Sequence, residues 1–177
     1  MAIVPDDKDW TWVIDRPCPD CGYDSAGTDR ASLPARIAAT TAAWQELLTG
    51  PDVRDRPDEV TWSVLEYACH VRDVHRVYRG RVERMLEEDD PFYESWDQDA
   101  TAIADRYADQ DPVVVGIELA DASAALAARF ASVRGDAWER TGRRSDGACF
   151  TIDTIGRYYL HDIEHHLWDT AGRRPEG

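Results

Sequence analysis

The chain has 177 residues, with 20 Lys and Arg against 35 Asp and Glu, a formal net charge of −15. Hydrophobic residues at 43% and seven tryptophans supply enough apolar surface for one packed domain, which sets the chain apart from acidic disordered sequences. So acidic a surface, with no basic cluster beyond short arginine pairs, argues against nucleic acid or anionic membrane as a partner.

Asp6, Asp7 and Asp9 stand where a signal peptide would carry positive charge, and no stretch approaches the roughly 18 apolar residues of a membrane span. The expected location is therefore cytoplasmic, where four cysteines read as metal ligands, core thiols or redox groups before disulfides. Residues 1–31 read as a short irregular extension, because Trp10, Trp12 and Cys18-Pro19-Asp20-Cys21-Gly22 show no sustained helical period. A domain of residues 32–177 follows.

Ser32, read as an N-cap, opens a first helix in which Leu33, Ile37, Thr40, Thr41, Trp44, Leu47 and Leu48 recur at three and four residues until Gly50-Pro51. After a Pro- and Asp-rich connector, Val60, Val64, Tyr67, Val71, Val74, Tyr78, Val82 and Met85 mark one face of a long second helix ending near Glu88. Residues 89–111 read as a crossover with a short helix at 100–108, a connection that a four-helix bundle permits. A third long helix is predicted from Pro112 through Ile117, Leu119, Leu126, Phe130 and Val133 to Gly135, then a hairpin-like loop at 138–147. The last helix spans about 151–170 and stops before Gly172.

The histidines carry the chemical signal. Two lie on the second helix (His70, His75) and three on the last (His161, His165, His166). Imidazole suits zinc, nickel or iron, and two ligands four apart on one helix chelate an ion whose third ligand comes from a facing helix. The last helix offers two such pairs, Asp162 with His166 and His161 with His165. At 100° per residue, Asp162 and His166 border the face marked by Ile152, Gly156, Tyr159, Leu160, Ile163 and Leu167, whereas His161 and His165 lie roughly opposite. The first pair is therefore favoured and the second stays open, since Trp168 warns of burial on that side too. His70 and His75, five apart, do not share a face well enough to chelate together, and His75 falls within the apolar stripe as a core histidine.

Cys18 and Cys21 look like a single zinc knuckle, a candidate half of a structural zinc site whose second knuckle is missing; Cys69 and Cys149 could complete it, but their spacing gives no support. A redox dithiol or two reduced thiols in a packed turn are the alternatives. Arg143 and Arg144 read as solvated loop charges, with carboxylate recognition as the functional alternative, and the tryptophans as core or helix-docking residues.

Trp62-Ser63-Val64-Leu65-Glu66-Tyr67-Ala68-Cys69-His70-Val71-Arg72-Asp73 and Tyr158-Tyr159-Leu160-His161-Asp162-Ile163-Glu164-His165-His166-Leu167-Trp168-Asp169 resemble the second and last helices of the DinB-like superfamily of metal-binding bundles. The resemblance covers about residues 32–171 and implies an all-α four-helix bundle with a long crossover. It also implies a divalent metal, zinc or nickel first and iron next, held by His70 with His166 and the residue four before it. That residue is Asp162 where many relatives have histidine; the mycothiol-dependent maleylpyruvate isomerases resemble this chain in carrying a carboxylate there. Tyr67, Asp73, Tyr159 and Asp169 are candidates to orient the ligands. The implied function is thiol S-transfer or isomerisation on a small electrophile, with a low-molecular-weight thiol such as mycothiol as co-substrate. The contrasting expectations are a non-catalytic metal-binding stress protein and a metal-free bundle acting as a homodimer.

Overall fold

A computed structural model describes residues 9–171; Asp6, Asp7 and the helix stop at Gly172 lie outside the described residues. Four long helices, α1 (Leu33–Leu47), α2 (Val64–Glu87), α4 (Pro112–Ser132) and α5 (Ile152–Ala171), form the expected bundle. A short α3 (Gln98–Ala104) lies in the crossover. Both α1 and α2 pack on α4 and on α5, so the ring runs α1, α4, α2, α5 and the successive helices α1 and α2 stand across its diagonal. No helix among the described residues is long and apolar enough to cross a membrane.

Capping chemistry explains where the helices begin. Ser63 and Glu66 make a reciprocal capping box, Ser63 Oγ accepting from the Glu66 N–H and Glu66 Oε2 accepting from the Ser63 N–H at 2.9 Å. Glu66 is buried there and held by Arg56 through two hydrogen bonds. This moves the start of α2 to Val64: Val60, counted above on its face, is 64% exposed beside a turn in which Asp58 accepts from the Val60 and Thr61 N–H groups. Ser32 precedes α1 but does not cap it, because its hydroxyl donates to the Asp29 carbonyl instead. Asp111 caps α4 ahead of Pro112. That helix ends at Ser132 rather than Gly135, whose positive φ of 51° opens a separate 3-10 turn over Gly135–Glu139. Ile117, expected on its inner face, is exposed.

The loop after α4 is the anticipated hairpin. Strands β2 (Thr141–Arg144) and β3 (Cys149–Thr151) are antiparallel, and β1 (Phe92–Tyr93) from the crossover pairs with β2 in parallel. Ser145 N–H donates to the Tyr93 carbonyl and Ser95 N–H to Ser145 Oγ, tying crossover and hairpin together at one end of the bundle. Inside, Leu33, Ile37, Trp44, Leu119, Leu126, Phe130, Ile155 and Tyr159 are fully buried. Gly156 sets the spacing, since a Cβ there would come within 2.8 Å of Leu33 and 3.1 Å of Phe130. Thus α5 lies close against α1, and the Phe130 ring reaches it from α4 across the bundle.

Arg72 and Asp73 join three elements. The buried Arg72 guanidinium grips Asp73 through two hydrogen bonds and reaches Gln110 and Glu118, while the Tyr107 hydroxyl donates to Asp73 Oδ2 at 2.6 Å. Burial works against the Asp73 charge, but Arg72, Tyr107 and Arg76 hold its carboxyl below the ordinary value of 3.8. Asp73→Ala, which leaves the buried guanidinium without its main partner, is expected to cost about 3–5 kcal/mol in urea unfolding. Because the folded carboxyl is depressed, its stabilisation is complete above the unfolded value and lost as pH falls through the folded one. Wild type should therefore lose more stability than Asp73→Asn below about pH 4, read as the midpoint difference between the two proteins across pH.

Candidate metal centre

The elements above carry His70, Asp162 and His166 to one point. His70 projects from the second turn of α2, and Asp162 and His166, one turn apart on α5, face it. Asp162 Oδ1 lies 3.6 Å from His70 Nε2 and 3.2 Å from His166 Nε2, and the donor atoms of all three lie within 4.8 Å of one another. His70 is buried, yet neither of its ring nitrogens has a hydrogen-bond partner among the described residues. Two imidazoles and a carboxylate converging in this way form a donor set suited to a divalent first-row ion, and the unsatisfied His70 nitrogens fit such a group.

Charge in the triad is uneven. Burial pulls His70 below its ordinary value. For Asp162 burial acts to raise the carboxyl, but the two histidines outweigh it and hold the group far below the carboxylate range. Burial likewise opposes charge on His166, yet Asp162 and Asp169 push it up to about 9. Asp169 Oδ2 sits 3.2 Å from His166 Nδ1, the place from which a carboxylate fixes the tautomer and direction of a ligand imidazole. Of the other candidates for this role, Tyr67 packs its ring on His166 at 5.1 Å, whereas Tyr159 and Asp73 are committed elsewhere. The Tyr159 hydroxyl pairs with His75 Nδ1 at 2.6 Å, and burial lowers His75 to about 4, making it the core histidine expected from its place in the apolar stripe.

The triad lies on the wall of a cavity of about 840 Å³ that also takes in Trp62, Trp96, Arg144, Tyr158 and Asp146. Trp96 stacks on His70 with centroids 5.4 Å apart and rings 5° from parallel, and Trp62 meets the same imidazole edge-on. These tryptophans border the site, a role the chain pattern concealed, because Trp96 arrives on the crossover and is set by a hydrogen bond to Thr101 Oγ1. Arg144 also departs from the solvated reading. It is largely buried over Phe150 and Tyr158, pairs with Asp146, and is the one Lys or Arg among the described cavity-lining residues. Arg143 is the exposed member of the pair, bound to Asp90.

His161 and His165 are not on an open face. They are 3% and 8% exposed, covered by the segment before α1, in which Trp10 lies 5.4 Å from His161 and 5.0 Å from His165. Their donor atoms and those of Cys18 and Cys21 form a second group, all within 4.8 Å of one another. Cys69, against the Tyr107 carbonyl and Gln110, and the exposed Cys149 take no part in it.

Residues 35–169 match the sequence profile of the DinB superfamily. The fold is similar to that of YfiT from Bacillus subtilis, described as a probable metal-dependent hydrolase with an unusual four-helix bundle topology. The TM-score is 0.71 at 18% identity, over 80% of this chain and 84% of that one. No curated protein sequence matches. Since the profile spans most of the bundle, including both helices that carry the triad, the chain belongs to the DinB superfamily.

Proposed function

We propose that this protein is a metal-dependent enzyme that transfers a small thiol to an electrophilic molecule or uses the thiol to isomerise it. The observation that carries this reading is the His70, Asp162 and His166 triad on the wall of a large cavity, with three protein donors and an open side. His70, Asp162 and His166 would hold the ion; two imidazoles and one carboxylate suit zinc, nickel and iron alike, and the resemblance to the superfamily puts zinc or nickel first. When bound, such an ion supplies Lewis-acid chemistry that favours a deprotonated nucleophile at neutral pH.

The chain's own groups supply the rest. Asp169 holds His166 in register through Nδ1. Trp62 and Trp96 give the cavity apolar walls that exclude water from one side of His70. Arg144, already backed by Asp146 and stacked on Tyr158, presents a guanidinium to a carboxylate-bearing substrate or thiol. A carboxylate ligand in place of a third histidine is the feature shared with the thiol-dependent isomerases of the superfamily. A second reading, hydrolysis with water as nucleophile, is favoured by the likeness to YfiT and uses the same triad. A purely structural ion is disfavoured by the cavity at the open side.

Metal-loaded protein incubated with a low-molecular-weight thiol and monochlorobimane should form the conjugate, and His70→Ala or His166→Ala should lower kcat/KM by roughly 1,000-fold. Conjugation at the uncatalysed rate, with ester substrates hydrolysed instead, would transfer the assignment to the hydrolytic reading; inertness toward both would end the enzyme reading. Asp169→Asn should weaken metal affinity about 10- to 100-fold by equilibrium dialysis. Arg144→Gln should cost roughly 10- to 100-fold in kcat/KM for a carboxylate-bearing electrophile and leave its neutral methyl ester nearly unaffected.

A further inference from the structure

The bundle already has its triad, and the superfamily match, which begins at residue 35, does not reach the cysteine segment. That segment is nevertheless firmly built onto α5. The Tyr23 hydroxyl donates to the Arg157 carbonyl, Arg157 donates back to the Ser25 carbonyl, and Arg36, stacked on Tyr23, pairs with Glu164 through two hydrogen bonds. Within it Cys18 and Cys21 bracket a tight turn. The Gly22 N–H donates to the Cys18 carbonyl, the Cys18 N–H donates to the Tyr23 carbonyl at 2.8 Å, and Gly22 takes a positive φ of 75° that favours glycine. The turn directs both sulfurs at one side of α5, where His161 and His165 share a face one helical turn apart.

We infer that Cys18, Cys21, His161 and His165 bind a second ion, a zinc held by four protein donors that fastens the N-terminal segment to α5. The distances are those such a site requires before it closes on its ion. Zinc takes sulfur at about 2.3 Å and nitrogen at about 2.0–2.1 Å, so the tetrahedral angle sets a sulfur-to-nitrogen edge of about 3.6 Å. Cys18 Sγ is 3.7 Å from His165 Nδ1, and no pair among the four donors exceeds 4.8 Å. The remaining nitrogen of His165 faces Asp169, with Nε2 to Oδ1 at 3.9 Å, so the ring offers Nδ1 to the metal and turns Nε2 toward a carboxylate. Trp10 and Trp168 pack on His165, and Trp10 and Tyr23 on His161; Cys18 and both histidines are buried, while Cys21 is half-buried. Four protein donors leave no open position, so the ion is structural.

The two sites meet at Asp169. One oxygen stands 3.2 Å from His166 of the triad and the other 3.9 Å from His165, so the zinc, by fixing His165, braces the positioning carboxylate of the neighbouring centre. The pair left open in the sequence as an alternative triad thus belongs to a different ion.

Cobalt(II) titrated into reduced, metal-free wild-type protein tests this directly. A tetrahedral sulfur-ligated site gives a thiolate-to-cobalt charge-transfer band in the near ultraviolet, which the sulfur-free triad cannot produce. The band is expected in wild type, to persist in His70→Ala and there saturate at one cobalt per chain, and to vanish in Cys18→Ser/Cys21→Ser. Should that double variant fail to fold by circular dichroism, His165→Cys decides, since it keeps four donors and raises the thiolates from two to three. Its band should grow about 1.5-fold per cobalt, and unchanged intensity overturns the site. Absence of the band in reduced wild type, or its survival without Cys18 and Cys21, overturns it as well. Loss of activity in His70→Ala with the band intact separates a failure of the triad from a failure of this site.

Discussion

Helix α5 is buried on two sides, and the chemistry of the molecule follows from that constraint. Positions four apart share a face, and the two pairs in the stretch 161–166 are offset by one residue, or about 100°. Asp162 and His166 consequently turn toward α2, where His70 waits, while His161 and His165 turn toward the N-terminal segment and its cysteines. A helix exposed on one side would leave the second pair in water. The close approach at Gly156 against Leu33 and Phe130 seats α5 deeply enough for both faces to be covered. Asp169, one turn beyond His165, then stands behind both histidine rings.

The electrostatics fit a protein that is acidic overall: several of its least exposed arginines face carboxylates, while the buried Arg81 lies over Tyr78 and Tyr93 and donates to the Glu94 carbonyl. Arg72 is matched by Asp73 and Glu118, Arg56 by Glu66, and Arg144 by Asp146. Separating Arg72 from Asp73, or Arg56 from Glu66, leaves a charge that the interior solvates poorly, so these contacts define the bundle's geometry more than they add to its stability. The cavity inherits the same bias: Asp9, Asp97, Asp99 and Asp146 line it beside a single guanidinium among the described residues. Such walls raise the local concentration of cations, and Arg144 provides a fixed counter-charge for one anionic group.

The bundle was legible because its signals are local and repeated. The spacing of Leu33, Ile37 and Trp44, the Pro112 start and the two turn signals around 142–147 each correspond to an element that forms. Errors fell at boundaries. Val60 continued an apolar period that the Ser63 and Glu66 capping box cut short, and Gly135 served as the start of a new turn rather than as a helix stop. Arg144 and Arg143 look alike along the chain, yet neighbours on a strand face opposite ways, so one enters the cavity and the other meets solvent.

By itself the sequence determined the helices and placed His75 within an apolar stripe, since helical periodicity places a residue relative to its own helix and the apolar stripe shows which face points inward; periodicity favoured Asp162 with His166 over His161 with His165, and the resemblance to the superfamily added His70. What covers the opposite face is another matter. Cys18 and His165 are 147 positions apart, and no periodicity relates an irregular segment to a helix that far along the chain. Only the tertiary structure decided that the cysteines meet His161 and His165, that Trp96 of the crossover stacks on His70, and that Asp169 stands between two sites. Each depends on how separate elements dock, which is a property of the packed whole.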